Sequence, residues 1–158
     1  MKRIKWIFGL TALVVTAFAL TTGTRANSAT SPGDKPANGT MVKIANSPLG
    51  RILVDSKGIT LYDFVADKGT TSVCYGACAA LWPPLLTHGK PIAGPGVRAS
   101  LLGTTKRSDG KLEVTYGGHP LYYFVSDRKP GQTTGEGVNQ FGAPWWVLSA
   151  AGTEIHNG

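Results

Sequence analysis

Shifted by sixty residues, the chain matches itself. Gly50-Arg-Ile-Leu-Val-Asp-Ser-Lys-Gly-Ile-Thr-Leu-Tyr-Asp-Phe-Val-Ala-Asp67 faces Gly110-Lys-Leu-Glu-Val-Thr-Tyr-Gly-Gly-His-Pro-Leu-Tyr-Tyr-Phe-Val-Ser-Asp127, and eight of these eighteen positions are identical without a gap. Shared strand composition alone does not produce that density of identity, so this is an internal repeat, and the fold must be one unit used twice. Further on, Trp82-Pro-Pro-Leu-Leu aligns with Trp146-Val-Leu after four extra residues. Cys74 and Cys78 then stand opposite the cysteine-free stretch from Asn139 to Pro144.

The unit itself reads as β structure. Short apolar segments (MVKIA, RILVD, ITLYDFV) are separated by turn residues (NSPLG, SKG, ADKG), the pattern of antiparallel strands. Lys111-Leu-Glu-Val-Thr alternates polar and apolar as a half-buried strand does, and Gly117-Gly118 supplies the positive φ angles of a tight reversal. Each unit is therefore expected to be a β-hairpin with an aromatic second strand. That strand has Leu61 and Val65 on one face and Tyr62 and Phe64 on the other, which predicts a central strand without a solvent face. The expected fold is all-β: antiparallel sheets from two tandem hairpin repeats, about 41–100 and 101–158, packed with pseudo-twofold symmetry as one domain. Helix is expected only as one or two turns between Ser72 and Trp82, ended by Pro83-Pro84.

The N-terminus predicts export. Lys2, Arg3 and Lys5 precede an apolar run from Trp6 to Leu20, too short for a comfortable span of the ~20 residues a membrane helix needs, and small residues follow near Ala26. Residues 1–26 read as a signal peptide and 27–40, rich in Ser, Pro, Gly and Asn, as a flexible spacer. Loss of the signal removes four of the sixteen basic residues and leaves all nine acidic ones, a balance of +3. With Lys106-Arg107 and Arg128-Lys129 as isolated pairs, nothing tracks a phosphate backbone, so nucleic acid is not expected as a partner. The membrane is expected to matter only through the signal peptide during export. The product is expected to be secreted or periplasmic, and no cysteine near the cleavage region encodes a lipid anchor.

Leu-Tyr-x-Phe-x-x-Asp occurs twice (Leu61 to Asp67, Leu121 to Asp127), Cys74-Tyr-Gly-Ala-Cys78 runs into Leu81-Trp82-Pro-Pro-Leu, and Gly142-Ala-Pro-Trp-Trp-Val147 closes the pattern. From about Met41 to Gly152 the chain resembles the bacterial secreted-repeat family, predicted lipoproteins with a Tyr-x-aromatic-x-x-Asp motif. The resemblance implies secretion and no established activity. Many members look lipidated at an N-terminal cysteine, which this sequence lacks.

Candidate chemistry is sparse. Cys74 and Cys78, in a chain bound for an oxidising compartment, read as a structural disulfide, a small loop whose closure stabilises by ~2 kcal/mol. The competing metal or redox reading needs more ligands, and only His88 is near in sequence. Asp67 and Asp127 could pair as a carboxylate or cation site. The turn residues after each favour a structural role, together with Tyr62, Phe64, Tyr122 and Phe124. Trp82, Trp145 and Trp146 are candidate surfaces for stacking a glycan or other ligand, with at most one of the adjacent pair Trp145 and Trp146 expected in the core. His119 replaces Ile59 of the first copy and reads as structural. No cofactor is called for by any motif. The expected role is a non-enzymatic binding or structural module for an envelope protein, glycan or small ligand. The alternative is a periplasmic redox or metal-handling protein using Cys74 and Cys78. Purified without reductant, the protein should be lighter than its reduced form by the two hydrogens of a disulfide and should resist mild dithiol. Free or readily reduced thiols would favour the alternative.

Overall fold

Turn chemistry at Gly50, Gly58 and Gly117-Gly118 cuts the chain into short strands, which a computed structural model describes for residues 39–156. The expected signal peptide (1–26) and most of the expected spacer (27–38) lie outside the described residues. The strands are β1 (Met41–Ser47), β2 (Gly50–Asp55), β3 (Tyr62–Phe64), β4 (Leu86–Thr87), β5 (Ile92–Ala93), β6 (Leu102–Lys106), β7 (Leu112–Tyr116), β8 (His119–Pro120), β9 (Asn139–Gln140) and β10 (Ala143–Val147). One helix, α1 (Ala77–Leu81), lies within the 72–82 window and ends before Pro83-Pro84, where the chain can no longer donate helical hydrogen bonds. The β1–β2 pair of the first repeat corresponds to β6–β7 of the second. The fold is all-β, antiparallel except for a short parallel contact between β1 and β5. Its sheets are ordered β2-β1-β5, β3-β10-β9 and β4-β7-β6, with β8 on β7. Gly117 and Gly118, at φ 60° and 91°, turn β7 directly into β8, so that Tyr116 faces His119.

The repeats do not sit side by side as closed hairpins. The limb after each central tryptophan crosses to the other repeat. Leu85 of the first repeat accepts from Val114 N and donates to Leu121 O, both at 2.8 Å, and β4 pairs with β7. In the opposite direction, Leu148 O accepts from Leu53 N at 3.0 Å, and β10 pairs with β3. Tyr62 and Tyr122 exchange backbone hydrogen bonds at 2.9 and 2.8 Å. Both core clusters mix residues of both repeats: Ile52, Tyr62 and Trp82 with Tyr122 and Trp145 in one, Leu53, Leu61 and Leu85 with Val114, Leu121 and Leu148 in the other.

At the centre four rings stack in the order Phe64, Trp145, Trp82, Phe124. Their centroids are 4.1, 4.0 and 4.2 Å apart and their planes lie within 22° of parallel. Tyr62 meets Trp82 edge-on and Tyr122 meets Trp145 edge-on, geometries each worth about 0.5–1.5 kcal/mol beyond area burial. Gln140 serves both buried indoles: its side-chain oxygen accepts from Trp82 Nε1 at 2.9 Å and its backbone carbonyl from Trp145 Nε1 at 3.3 Å. Trp82 therefore has its counterpart in Trp145, where the sequence alignment pairs it with Trp146.

Two expectations are corrected. The second aromatic segment does not form a ladder like β3. Tyr122 makes single bridges, to Tyr62 and to Pro84, because it is wedged between two segments that run past it. The aromatic strands also have a solvent side. Val65 and Val125 are 43% and 37% exposed, because the chain turns out of the sheet at Phe64–Asp67 and Phe124–Asp127, closed by hydrogen bonds from Asp67 N and Asp127 N.

The motif aspartates fasten these turns to the opposite repeat. Tyr62 donates to Asp127 at 2.5 Å and Tyr122 donates to Asp67 at 2.6 Å. Asp67 also accepts from Val73 N, and Asp127 from the backbone and hydroxyl of Thr134. Burial raises both phenols far above the ordinary tyrosine range, which keeps them protonated as donors. An asparagine at either position would turn an NH2 toward one of these donors. The double variant Asp67→Asn/Asp127→Asn should therefore lose about 1–3 kcal/mol per site in denaturant unfolding. Unchanged stability would show that these crossed bonds hold nothing together.

Candidate functional site

Because Tyr62 and Phe64 face the aromatic stack, the residue between them must face the other side of the sheet. That residue is Asp63, opposite Trp146 across the β3–β10 ladder. It is 1% exposed, and neither carboxylate oxygen accepts a hydrogen bond from the described residues. Its neighbours come from far along the chain. The Gly117-Gly118 turn delivers His119, whose Nδ1 lies 3.2 Å from Asp63 Oδ2. After β10 the chain doubles back through the turn from Ser149 to Thr153 and bridges Leu148 to Glu154, which brings the Glu154 carboxylate alongside. One ligating atom from each of Asp63, His119 and Glu154 lies within 4.8 Å of the others. Glu154 Oε2 in turn lies 3.0 Å from His156 Nε2.

Asp63, His119 and Glu154 line a pocket of about 170 Å³ that also includes Asp67, Gly117 and Gly118. Gly117 is required there, since a Cβ would come within 3.1 Å of the Gly152 carbonyl in the returning segment. The electrostatics are those of concentrated negative charge. The Asp63 carboxylate 3.2 Å away raises the His119 pKa, burial opposes it, and the charges of Glu154 and Asp67 add to the rise. Burial, reinforced by the Asp63 charge, raises the Glu154 carboxyl. A carboxylate withdrawn from water with a single partly exposed imidazole beside it is costly, so the arrangement favours a cation in the pocket.

The residues singled out in the sequence fall elsewhere. Tyr62, Phe64, Tyr122, Phe124 and Asp127 belong to the aromatic interior and its crossed bonds, and Asp67 touches the pocket while committed to Tyr122 and Val73. Trp82 and Trp145 are not stacking surfaces, because both are fully buried with their faces covered by other rings. Trp146 is half-buried and meets His156 edge-on at 4.5 Å. Cys74 and Cys78 are joined as a disulfide in the interior. Arg107 donates to the Cys74 carbonyl and pairs with the buried Glu113. His88 lines a separate, apolar hollow with Leu86 and Leu112 and so cannot complete a ligand set with the cysteines.

Sequence reasoning passes over Asp63 and Glu154 and treats His119 as structural. The signal for two of them is a difference between the copies. Within the matching stretch, Asp63 stands where the second copy has Tyr123, and His119 where the first has Ile59. The site is a departure from the repeat.

A family described as a secreted repeat of unknown function matches residues 43–86 and 103–149, more than half of the chain. The chain belongs to this family. No curated protein and no solved structure matches. The two matched stretches run from β1 into β4 and from β6 to just beyond β10, so they include Asp63 and His119 and stop short of Glu154. Among the described residues, no helix is long and apolar enough to cross a membrane.

Replacing Asp63 with asparagine keeps the shape and removes a buried charge that accepts no hydrogen bond. In metal-free buffer at alkaline pH, where His119 is neutral and does not pair with Asp63, Asp63→Asn should melt at the same temperature as the parent protein or higher. A fall of several degrees would mean that the carboxylate already stabilises the fold.

Proposed function

We propose that this member of the secreted-repeat family works outside the cytoplasm as a non-enzymatic binding module, and that its binding position is the pocket around Asp63, which takes a positively charged ligand. The observation that carries this reading is the Asp63 carboxylate, buried at the wall of a pocket with no hydrogen bond to either oxygen. Two further carboxylates, Glu154 and Asp67, line the same pocket. The reciprocal contacts of the two repeats, tyrosine to aspartate and ring to ring, support pseudo-twofold packing as a rigid frame that holds the pocket open at one edge. The redox or metal reading of Cys74 and Cys78 has less support. Both sulfurs are bonded to each other, Cys74 is fully buried, and His88 lies in a different hollow.

Thermal denaturation tests the reading with simple cations as probes: zinc, manganese and calcium chlorides, and arginine, choline and spermidine. At a hundred times its dissociation constant a ligand stabilises the folded state by about 2.7 kcal/mol. In a domain of this size that is a rise on the order of 10 °C. At least one cation should raise the melting temperature of the parent protein and leave Asp63→Asn unmoved. If no cation does so, or if the variant responds equally, the pocket is not the binding position.

A further inference from the structure

We propose that the ligand is a divalent d-block metal ion, zinc being the best fit, held by Asp63, His119 and Glu154 with His156 completing the set. This rests on the reading of the pocket as a cation site and names the cation. The donors decide the class. Calcium takes six to eight oxygen ligands and magnesium an octahedron of oxygens and waters, and neither has use for imidazole. Two carboxylates with one or two imidazoles are the mixed oxygen and nitrogen set that suits zinc and its neighbours.

The spacing agrees with the donors. Tetrahedral zinc bonded at about 2.0–2.2 Å holds its ligand atoms roughly 3.3–3.6 Å apart. Asp63 Oδ2 and His119 Nδ1 are already 3.2 Å apart, and Glu154 Oε2 and His156 Nε2 are 3.0 Å apart, so each pair is close to one edge of the tetrahedron. With Asp63, His119 and Glu154 donor atoms all within 4.8 Å of one another, closure needs a movement of about an ångström in the more exposed members. Those members have the freedom for it. The Glu154 side chain is 25% exposed, that of His119 37% and that of His156 57%, whereas Asp63 is fixed. Charge balances as well, because one divalent ion neutralises Asp63 and Glu154. Asp67 lines the same pocket, but its two oxygens already accept from Tyr122 and Val73, so it remains outside the set. An organic ammonium or guanidinium group fits less well, since the His119 ring occupies the approach to the Asp63 carboxylate.

The ligands come from β3, from β8 and from the segment that returns after β10, so the ion would tie both repeats and the C-terminal segment together. Trp146 reports on this. It shares a face with Asp63 and packs its ring against His156, so capture of His156 by the metal changes the surroundings of the indole.

The test is calorimetric titration of the chelator-treated full protein with zinc, with calcium and spermidine as comparison probes, followed in parallel by tryptophan fluorescence. The expected result is one zinc per chain and calcium bound at least a hundredfold more weakly. His119→Gln and Glu154→Gln should each lose tenfold or more in zinc affinity, and His156→Gln should also weaken it. The zinc-dependent fluorescence change should disappear in Trp146→Phe. Side-chain exposure at 119, 154 and 156 leaves these variants able to fold, and their unchanged circular dichroism in the absence of zinc checks that they do. Equal binding of calcium, or full zinc affinity in His119→Gln, would overturn the metal assignment and leave the cation pocket standing, provided that binding still requires Asp63. Binding of spermidine without zinc would do the same. Failure of every cation would overturn both.

Discussion

Phe64, Trp145, Trp82 and Phe124 stack through the middle of the molecule as one column, and the rest of the structure is arranged around it. Each repeat contributes two of the four rings, alternating so that the inner pair comes from both. Neither repeat buries its own aromatic surface: Phe64 is covered by a tryptophan of the second repeat and Phe124 by one of the first. The tyrosines standing edge-on to this column send their hydroxyls across to the aspartate of the opposite repeat, so the hydrophobic and polar halves of the motif both need the partner copy. The Tyr-x-Phe-x-x-Asp signature is thus an instruction for joining two copies, since its tyrosine, aromatic and aspartate all find partners beyond their own repeat. This is the usual physics of repeats that cannot close a core alone, here in its smallest form.

That same column determines where Asp63 sits. Alternation along β3 sends Tyr62 and Phe64 inward, which leaves Asp63 on the opposite face, where the β7–β8 turn and the returning C-terminal segment meet it. In the second repeat Tyr123 holds the corresponding position and hydrogen-bonds Asp55 at 3.1 Å, so that side contributes a structural bond instead of a buried carboxylate that accepts no hydrogen bond. The two copies of the motif differ here, with Tyr123 in the second opposite Asp63 and Ile59 in the first opposite His119.

Much of this was legible in the residues. The sixty-residue repeat, the antiparallel strands, the Gly117-Gly118 reversal and the short helix before Pro83-Pro84 all follow from local chemistry, because each depends on residues a few positions apart. Local chemistry does not reach the places where distant segments meet. Trp82 and Trp145 look like a stacking platform as long as each is considered alone, and they are buried because the limbs carrying them cross between repeats. Periodicity places Val65 in the interior because it does not show that the chain leaves the sheet one residue earlier. Asp63 was hidden by its position in the motif, at the variable place between tyrosine and phenylalanine, and its companions at 119 and 154 are 56 and 91 positions away. No window along the chain holds the three together, although the mismatch of Asp63 with Tyr123 and of His119 with Ile59 marks where the copies differ.

The proposed cation site lies at the buried Asp63 carboxylate, at one edge of the frame that the aromatic column holds together. Anomalous diffraction from crystals of the chelated protein soaked in zinc, recorded on both sides of the zinc edge, tests it directly. One strong anomalous peak is expected at about 2.0–2.2 Å from an Asp63 oxygen and from the facing Nδ1 of His119. A peak only at exposed histidines such as His88, with the Asp63 pocket showing none, would contradict it.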